Sequence, residues 1–167
     1  MERILIIGCP GSGKTTLSRE LGEKLDLPVT HLDNIFWSPG NWVHLDNDAF
    51  DEALGKELQK PRWIIEGNFD RTLPWRLDFC DTVIWLDYSR WVCLWGWIKR
   101  MVFNWGKVRS DMAPGCVERW DWEFAAYIWN FRKNKSSKNE ALFAGNTDKK
   151  VYRFKSRHAA KRFLKTL

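Results

Sequence analysis

Eight residues near the start, Gly8-Cys9-Pro10-Gly11-Ser12-Gly13-Lys14-Thr15, constrain this chain more than any others. They match the spacing G-x-x-x-x-G-K-[ST], and their flanks suit it. Ile4-Leu5-Ile6-Ile7 reads as a buried strand, and 14–26 reads as a helix with Leu17, Leu21 and Leu25 four apart. Strand, glycine-rich turn and helix together make one physical device. Glycines let the backbone curl so that consecutive N–H groups point inward, where they attract an anion. The helix N-terminus adds partial positive charge at the same point. Such a turn cradles phosphate. Lys14 is placed to reach β- and γ-phosphates, and the Thr15 hydroxyl to ligate Mg²⁺. Gly8, Pro10, Gly11, Ser12, Gly13, Lys14, Thr15 and Thr16 are therefore the candidate contacts to ATP, with Mg²⁺ as its metal.

The rest of the chain alternates. Strands are expected at 3–8, 29–32, 62–66, 82–87 and 149–154. Helices are expected at 14–26, 47–60, 89–105, 118–132 and 156–166, with a shorter piece at 70–79 and Ser156 as the last N-cap. That pattern predicts an α/β domain over 1–167, with a parallel sheet covered on both faces. Ligands of such sheets lie beyond the carboxyl ends of the strands. Asp33, Glu66 to Phe69, Asp87 to Ser89, and Lys155 to His158 should therefore converge on the glycine-rich turn, with Arg157 a candidate nucleotide contact.

Each of these positions suggests a chemistry. A carboxylate at Asp33 can orient an acceptor hydroxyl, take its proton or hold a metal-bound water. Glu66, at the end of Trp63-Ile64-Ile65, and Asp87, at the end of Val83-Ile84-Trp85-Leu86, compete for the metal. Arg71, Arg76, Arg100, Arg109 and Arg119 are candidate phosphate clamps, because a guanidinium binds phosphate through two parallel bonds. Arg100 and Arg109 are the catalytic candidates. Arg71, Arg76, Trp37, Asn68 and Glu66 join Asp33 at the acceptor.

Twelve tryptophans, seven of them from Trp85 to Trp122, are the oddity of composition. Trp91, Trp95, Ile98, Val102 and Trp105 share one helical face, as do Trp120, Phe124, Tyr127, Ile128 and Phe131. Two helices packing through aromatic stripes is the simple expectation; an aromatic pocket that stacks a flat ligand is the alternative. The polar stretch between them, 106–117, reads as part of a lid spanning about 100–135. Residues 132–167 carry 12 Lys+Arg against 2 Asp+Glu, a net of +10, which suits a solvated face or a polyanion-binding surface.

The longest uncharged apolar run in this region, 91–98, is too short to span a bilayer. Cys9, Cys80, Cys93 and Cys116 form no C-x-x-C pair and have no histidine partner. A cytoplasmic protein with reduced thiols and no membrane partner, monomeric or dimeric, is expected.

With these residues in view, the chain resembles the P-loop kinases of adenylate-kinase-like fold. More closely, it resembles bacterial DNA topology modulation proteins related to FlaR. The matching stretches are Gly8–Thr16, His31-Leu32-Asp33 with Trp37, Trp63 to Asn68, Leu86-Asp87 with Arg90-Trp91, and Arg109-Ser110-Asp111-Met112 with Gly115-Cys116. The resemblance implies a three-layer P-loop NTPase fold, with a five-stranded parallel sheet, helices on both faces, a mobile helical lid and ATP use. Adenylate kinases carry Asp-Gly-Phe-Pro-Arg after the third strand. Glu66-Gly67-Asn68-Phe69-Asp70 stands there instead, which weakens AMP as an acceptor. Three functions stay open: a kinase for a small molecule or nucleotide, a DNA-associated ATP-binding protein, and an NTP hydrolase. A GTPase is disfavoured, because Asn134-Lys135-Ser136-Ser137 is not an Asn-Lys-x-Asp base-reading motif.

Overall fold

The computed structural model describes residues 1–37, 42–108, 112–117 and 120–167. Its strands are β1 (Arg3–Gly8), β2 (Val29–His31), β3 (Trp63–Glu66), β4 (Thr82–Leu86) and β5 (Lys150–Phe154). Its helices are α1 (Lys14–Leu25), α2 (Leu32–Phe36), α3 (Asn47–Leu58), α4 (Leu73–Phe79), α5 (Arg90–Asn104), α6 (Trp122–Ala144) and α7 (Arg157–Thr166). A short 3₁₀ turn at Asp70–Thr72 leads into α4. The sheet is fully parallel with strand order β2-β3-β1-β4-β5, so β1 and its following turn lie at the centre.

Strand alternation divides the apolar side chains between two cores. Ile4, Ile6, Ile64, Ile84 and Leu86 face one layer, with Leu21, Cys93, Trp97, Ile128 and Ala160 from α1, α5, α6 and α7. Leu5, Ile7, Trp63, Ile65, Val83 and Trp85 face the other, with Phe50, Leu54 and Leu77 from α3 and α4. The long α6 serves both: Ile128 and Phe131 belong to the first core and Phe143 to the second.

The helix ends follow their cap residues. Asp46, Asp121 and Ser156 each accept a bond from the backbone N–H three residues on, Ala49, Phe124 and Ala159. Asp121 moves the start of α6 from the expected 118 to Trp122. The helix then runs to Ala144, so the first part of the basic tail is helical rather than loop.

The aromatic stripe of α5 does not pack inward as expected. The buried face is Cys93, Trp97 and Met101, while Trp91 and Trp95 are 67% and 64% exposed. Helical spacing marks a stripe, but the rotation of the helix on the sheet decides which side is covered.

Candidate active site

The central turn between β1 and α1 folds as its glycines require. Gly13 has φ of 97°, and a Cβ there would meet nothing within 4 Å, so backbone conformation rather than crowding calls for glycine. It caps α1, whose first N–H groups receive no side-chain cap. The result is an open, anion-attracting hollow. Gly11 is tight by contrast: a Cβ would lie 2.2 Å from the Cys93 carbonyl oxygen of α5. From the other side, a Cβ on Gly96 would lie 2.1 Å from the Gly11 carbonyl oxygen. The turn and α5 thus meet backbone to backbone.

Three side chains hold the turn in place. Lys14 Nζ donates to Gly8 O at 2.9 Å and Cys9 O at 3.5 Å. Asn68 Oδ1 accepts from Gly8 N at 3.1 Å, and Arg157 Nη2 donates to Gly11 O at 2.9 Å and Val92 O at 3.4 Å. The buried Cys9 and Cys93 thiols adjoin each other: the bond between them and burial push Cys9 well up, while Cys93 is held down.

Glu66 and Asp87 separate cleanly. Glu66 ends β3 in register with Ile6 and His31. Thr15 Oγ1 donates to its Oε1 at 3.3 Å, and His31 Nδ1 lies 3.0 Å from the same oxygen. Glu66 Oε2 is buried and has no hydrogen-bond partner among the described residues. Asp87 is committed elsewhere, to Arg153 Nη2 at 2.8 Å and Arg132 Nε at 3.2 Å. An orphaned carboxylate oxygen beside the Thr15 hydroxyl fits a hard divalent cation. No group of three or more His, Cys, Asp or Glu among the described residues makes a complete metal cage.

A cavity of about 1110 Å³ opens over this arrangement. Pro10, Gly11, Ser12, Gly13, Lys14, Thr15 and Thr16 line it, with Arg157 and Lys161 from α7 and Lys99 and Arg100 from α5. Asp33, Asn68, Asp70 and Asp121 line the same cavity, together with the aromatic side chains of Trp37, Trp42, Phe69, Phe124 and Tyr127. Asp33 sits in the short α2 rather than in a loop. Burial, with Asp70 and Asp33 nearby, pushes the Tyr127 phenol up to about 12. Trp37 packs edge to face on Trp42 at 5.2 Å, and both rest on Met112, Ala113 and Cys116. Trp42 Nε1 also donates to Val117 O at 3.2 Å. Residues 112–117 therefore pack against the cavity-lining Trp37 and Trp42.

The structure puts two expected clamps to other uses. Arg71 forks onto Asp51 of α3 at 2.7 and 2.6 Å and does not line the cavity. Arg76 is fully buried, and its guanidinium donates to the carbonyls of Gly67, Asn68 and Phe69. Burial pulls its pKa down to about 9. It ties off the turn after β3 and does not reach the cavity. Arg109 and Arg119 lie outside the described residues. Sequence reasoning missed Gly96, His31, Lys99 and Lys161. A glycine inside an apolar helix was the available signal for the first, and a position one turn from Arg157 for the last.

No family model and no curated protein matches this chain. Solved structures do. The shikimate kinase of Acinetobacter baumannii in complex with shikimate aligns with a TM-score of 0.62 at 13% identity, over 99% of this chain and 90% of that one. The shikimate kinase of Bacteroides thetaiotaomicron aligns at 0.54 and 14%, over 99% and 95%. That of Aquifex aeolicus aligns at 0.54 and 16%, over 98% and 92%. The chain shares their α/β P-loop NTPase-like fold.

Proposed function

We propose that this protein is a Mg·ATP-dependent phosphotransferase acting on a small hydroxyl-bearing acceptor. The observation that carries the reading is the single cavity joining the glycine-rich turn to Asp33. At about 1110 Å³ it exceeds the volume of about 300–1,000 Å³ usual for one small ligand. Both signs of charge line it: Lys14, Arg157, Lys161, Lys99 and Arg100, as a polyphosphate requires, and the carboxylates of Asp33, Asp70 and Asp121.

The residues have distinct tasks. The N–H groups of Gly11 to Thr15 receive phosphate oxygens, and Lys14 leaves the Gly8 carbonyl to reach the β- and γ-phosphates. Thr15 and Glu66, whose side chains are hydrogen-bonded to each other, would hold Mg²⁺, which would supply charge neutralisation for the phosphates. Asp33 accepts the proton of the acceptor hydroxyl as the new P–O bond forms and the bond from the γ-phosphorus to the β,γ-bridging oxygen breaks, releasing ADP. Arg100, above Phe124, screens the transferring group. The domain covers 1–167, with the region at about 100–135 as its lid and Arg109 as a clamp carried there.

The likeness to DNA topology modulation proteins suggests a DNA-associated role. The basic tail is its support, but five of its twelve cations have partners within the chain. Arg132 and Arg153 serve Asp87, Lys135 serves Asp70, Lys149 serves Asp148, and Arg157 serves Gly11. A phosphotransferase explains more of the site. The test is a screen of hydroxyl and phosphate acceptors for ADP release, with ATP affinity measured in parallel. ATP binding with no acceptor-dependent release across the screen would reject the transferase reading and leave a binding protein or slow hydrolase.

A further inference from the structure

We propose that the outward face of α5, continued by Trp129 of α6, docks the protein on an anionic lipid surface. The helix is apolar nearly all round, and a soluble fold normally buries such a helix. Here only one side is fully buried, the face of Cys93, Trp97 and Met101. On the opposite side Trp91, Trp95, Val102 and Trp105 are 61–70% exposed, with the half-buried Ile98 between them. Their spacing makes one stripe about 20 Å long. None of the five lines the cavity, so the candidate active site does not use them. Trp129 stands edge to face on Trp91 at 4.9 Å and carries the patch onto α6. Exposed apolar surface of this extent marks an interaction site.

Charge and side-chain type select the occupant. From Ser89 to Val108 the chain has Arg90, Lys99, Arg100 and Lys107 and no acidic residue. Arg90 lies over the Trp129 ring at 4.7 Å and the exposed Lys107 follows Trp105, so these two cations border the stripe, while Lys99 and Arg100 line the cavity. A second copy docked on this face would set like charges against each other. A nucleic-acid strand could stack bases on the indoles but would leave the aliphatic Ile98 and Val102 without a partner. Anionic lipid satisfies both parts. Indole rings favour the headgroup zone, aliphatic side chains reach the acyl boundary, and the rim cations pair with headgroups. No described helix is long and apolar enough to cross a membrane, so α5 would lie on the surface.

The test is co-sedimentation of the full chain with phosphatidylcholine vesicles, with and without phosphatidylglycerol. Wild type should bind the anionic vesicles, release in high salt, and shift its indole emission to shorter wavelength on binding. The double variant Trp91→Ser, Trp95→Ser should bind vesicles about tenfold or more weakly, with unchanged ATP affinity and thermal unfolding. Wild type left in the supernatant with both vesicles overturns the proposal, as does undiminished binding by the double variant. A dimer in light scattering that the double variant abolishes would also overturn it, in favour of a second copy. Loss of single-stranded DNA binding with vesicle binding intact would overturn it in favour of nucleic acid.

Discussion

Glu66 and Asp87 each follow an apolar strand run and carry the same charge, yet their neighbours give them different work. Asp87 is answered by two guanidinium groups, while Glu66 keeps one buried oxygen for a ligand. Glu66→Gln should therefore weaken Mg²⁺ dependence of nucleotide binding about tenfold or more, read by titrating Mg²⁺ in a fluorescent-nucleotide assay. Asp87→Asn should leave that titration in place and lower stability by about 2–3 kcal/mol in urea unfolding, because Arg132 and Arg153 lose their shared partner. The reverse pattern would exchange their roles. Lys14 is one of three side chains that bond the turn and makes two part-buried contacts, to the Gly8 and Cys9 carbonyls, so Lys14→Ala should lower thermal stability only slightly and cut turnover by on the order of 10²–10³. Asp33→Asn should lower the transfer rate while ATP affinity moves little; parallel loss of both would remove Asp33 from the acceptor role.

At the scale of elements, the contact between the turn and α5 matters most. Gly11 and Gly96 let two backbones touch, and neither backbone can yield as a long side chain would. Gly96→Ala should displace the turn, weaken ATP binding and destabilise the fold by about 1–3 kcal/mol. A variant with native ATP affinity would show that α5 moves freely against the turn. The same helix carries Lys99 and Arg100 to the cavity and leads toward residues 112–117, which pack against the cavity-lining Trp37 and Trp42. Amide exchange over about 100–135 should slow when a non-hydrolysable ATP analogue and Mg²⁺ are added, because those cations gain phosphate partners in a closed state. Equal exchange with and without the analogue would make α5 and α6 a fixed scaffold.

Across the whole molecule, strand order places the chemistry. With β1 central and β3 and β4 beside it, Glu66 falls beneath Thr15, while Asp87 faces β5 and α6. Arg76 shows the same dependence on global placement. A lone arginine eight residues past Asn68 reads as a clamp, yet the packing of α4 buries it against three carbonyls. Arg76→Met should cost about 3 kcal/mol or more by leaving those carbonyls without donors. A stable variant with impaired acceptor kinetics would restore it to the site.

Local physics wrote much of this protein into its sequence. The glycine-rich turn, the alternation of strands and helices, the Ser156 cap and the acids at strand ends all depend on residues within a few positions of one another. Hydrophobic period and turn chemistry express such features directly. Tertiary structure alone decided which acid is spared, which arginines are spent on the fold, and which side of α5 is left bare. Each of those outcomes depends on partners far away in the chain: His31 for Glu66, Arg153 for Asp87, Asp51 for Arg71, and the Gly11 backbone for Gly96. Spacing along one segment carries no information about a neighbour that only strand order and helix rotation bring into contact.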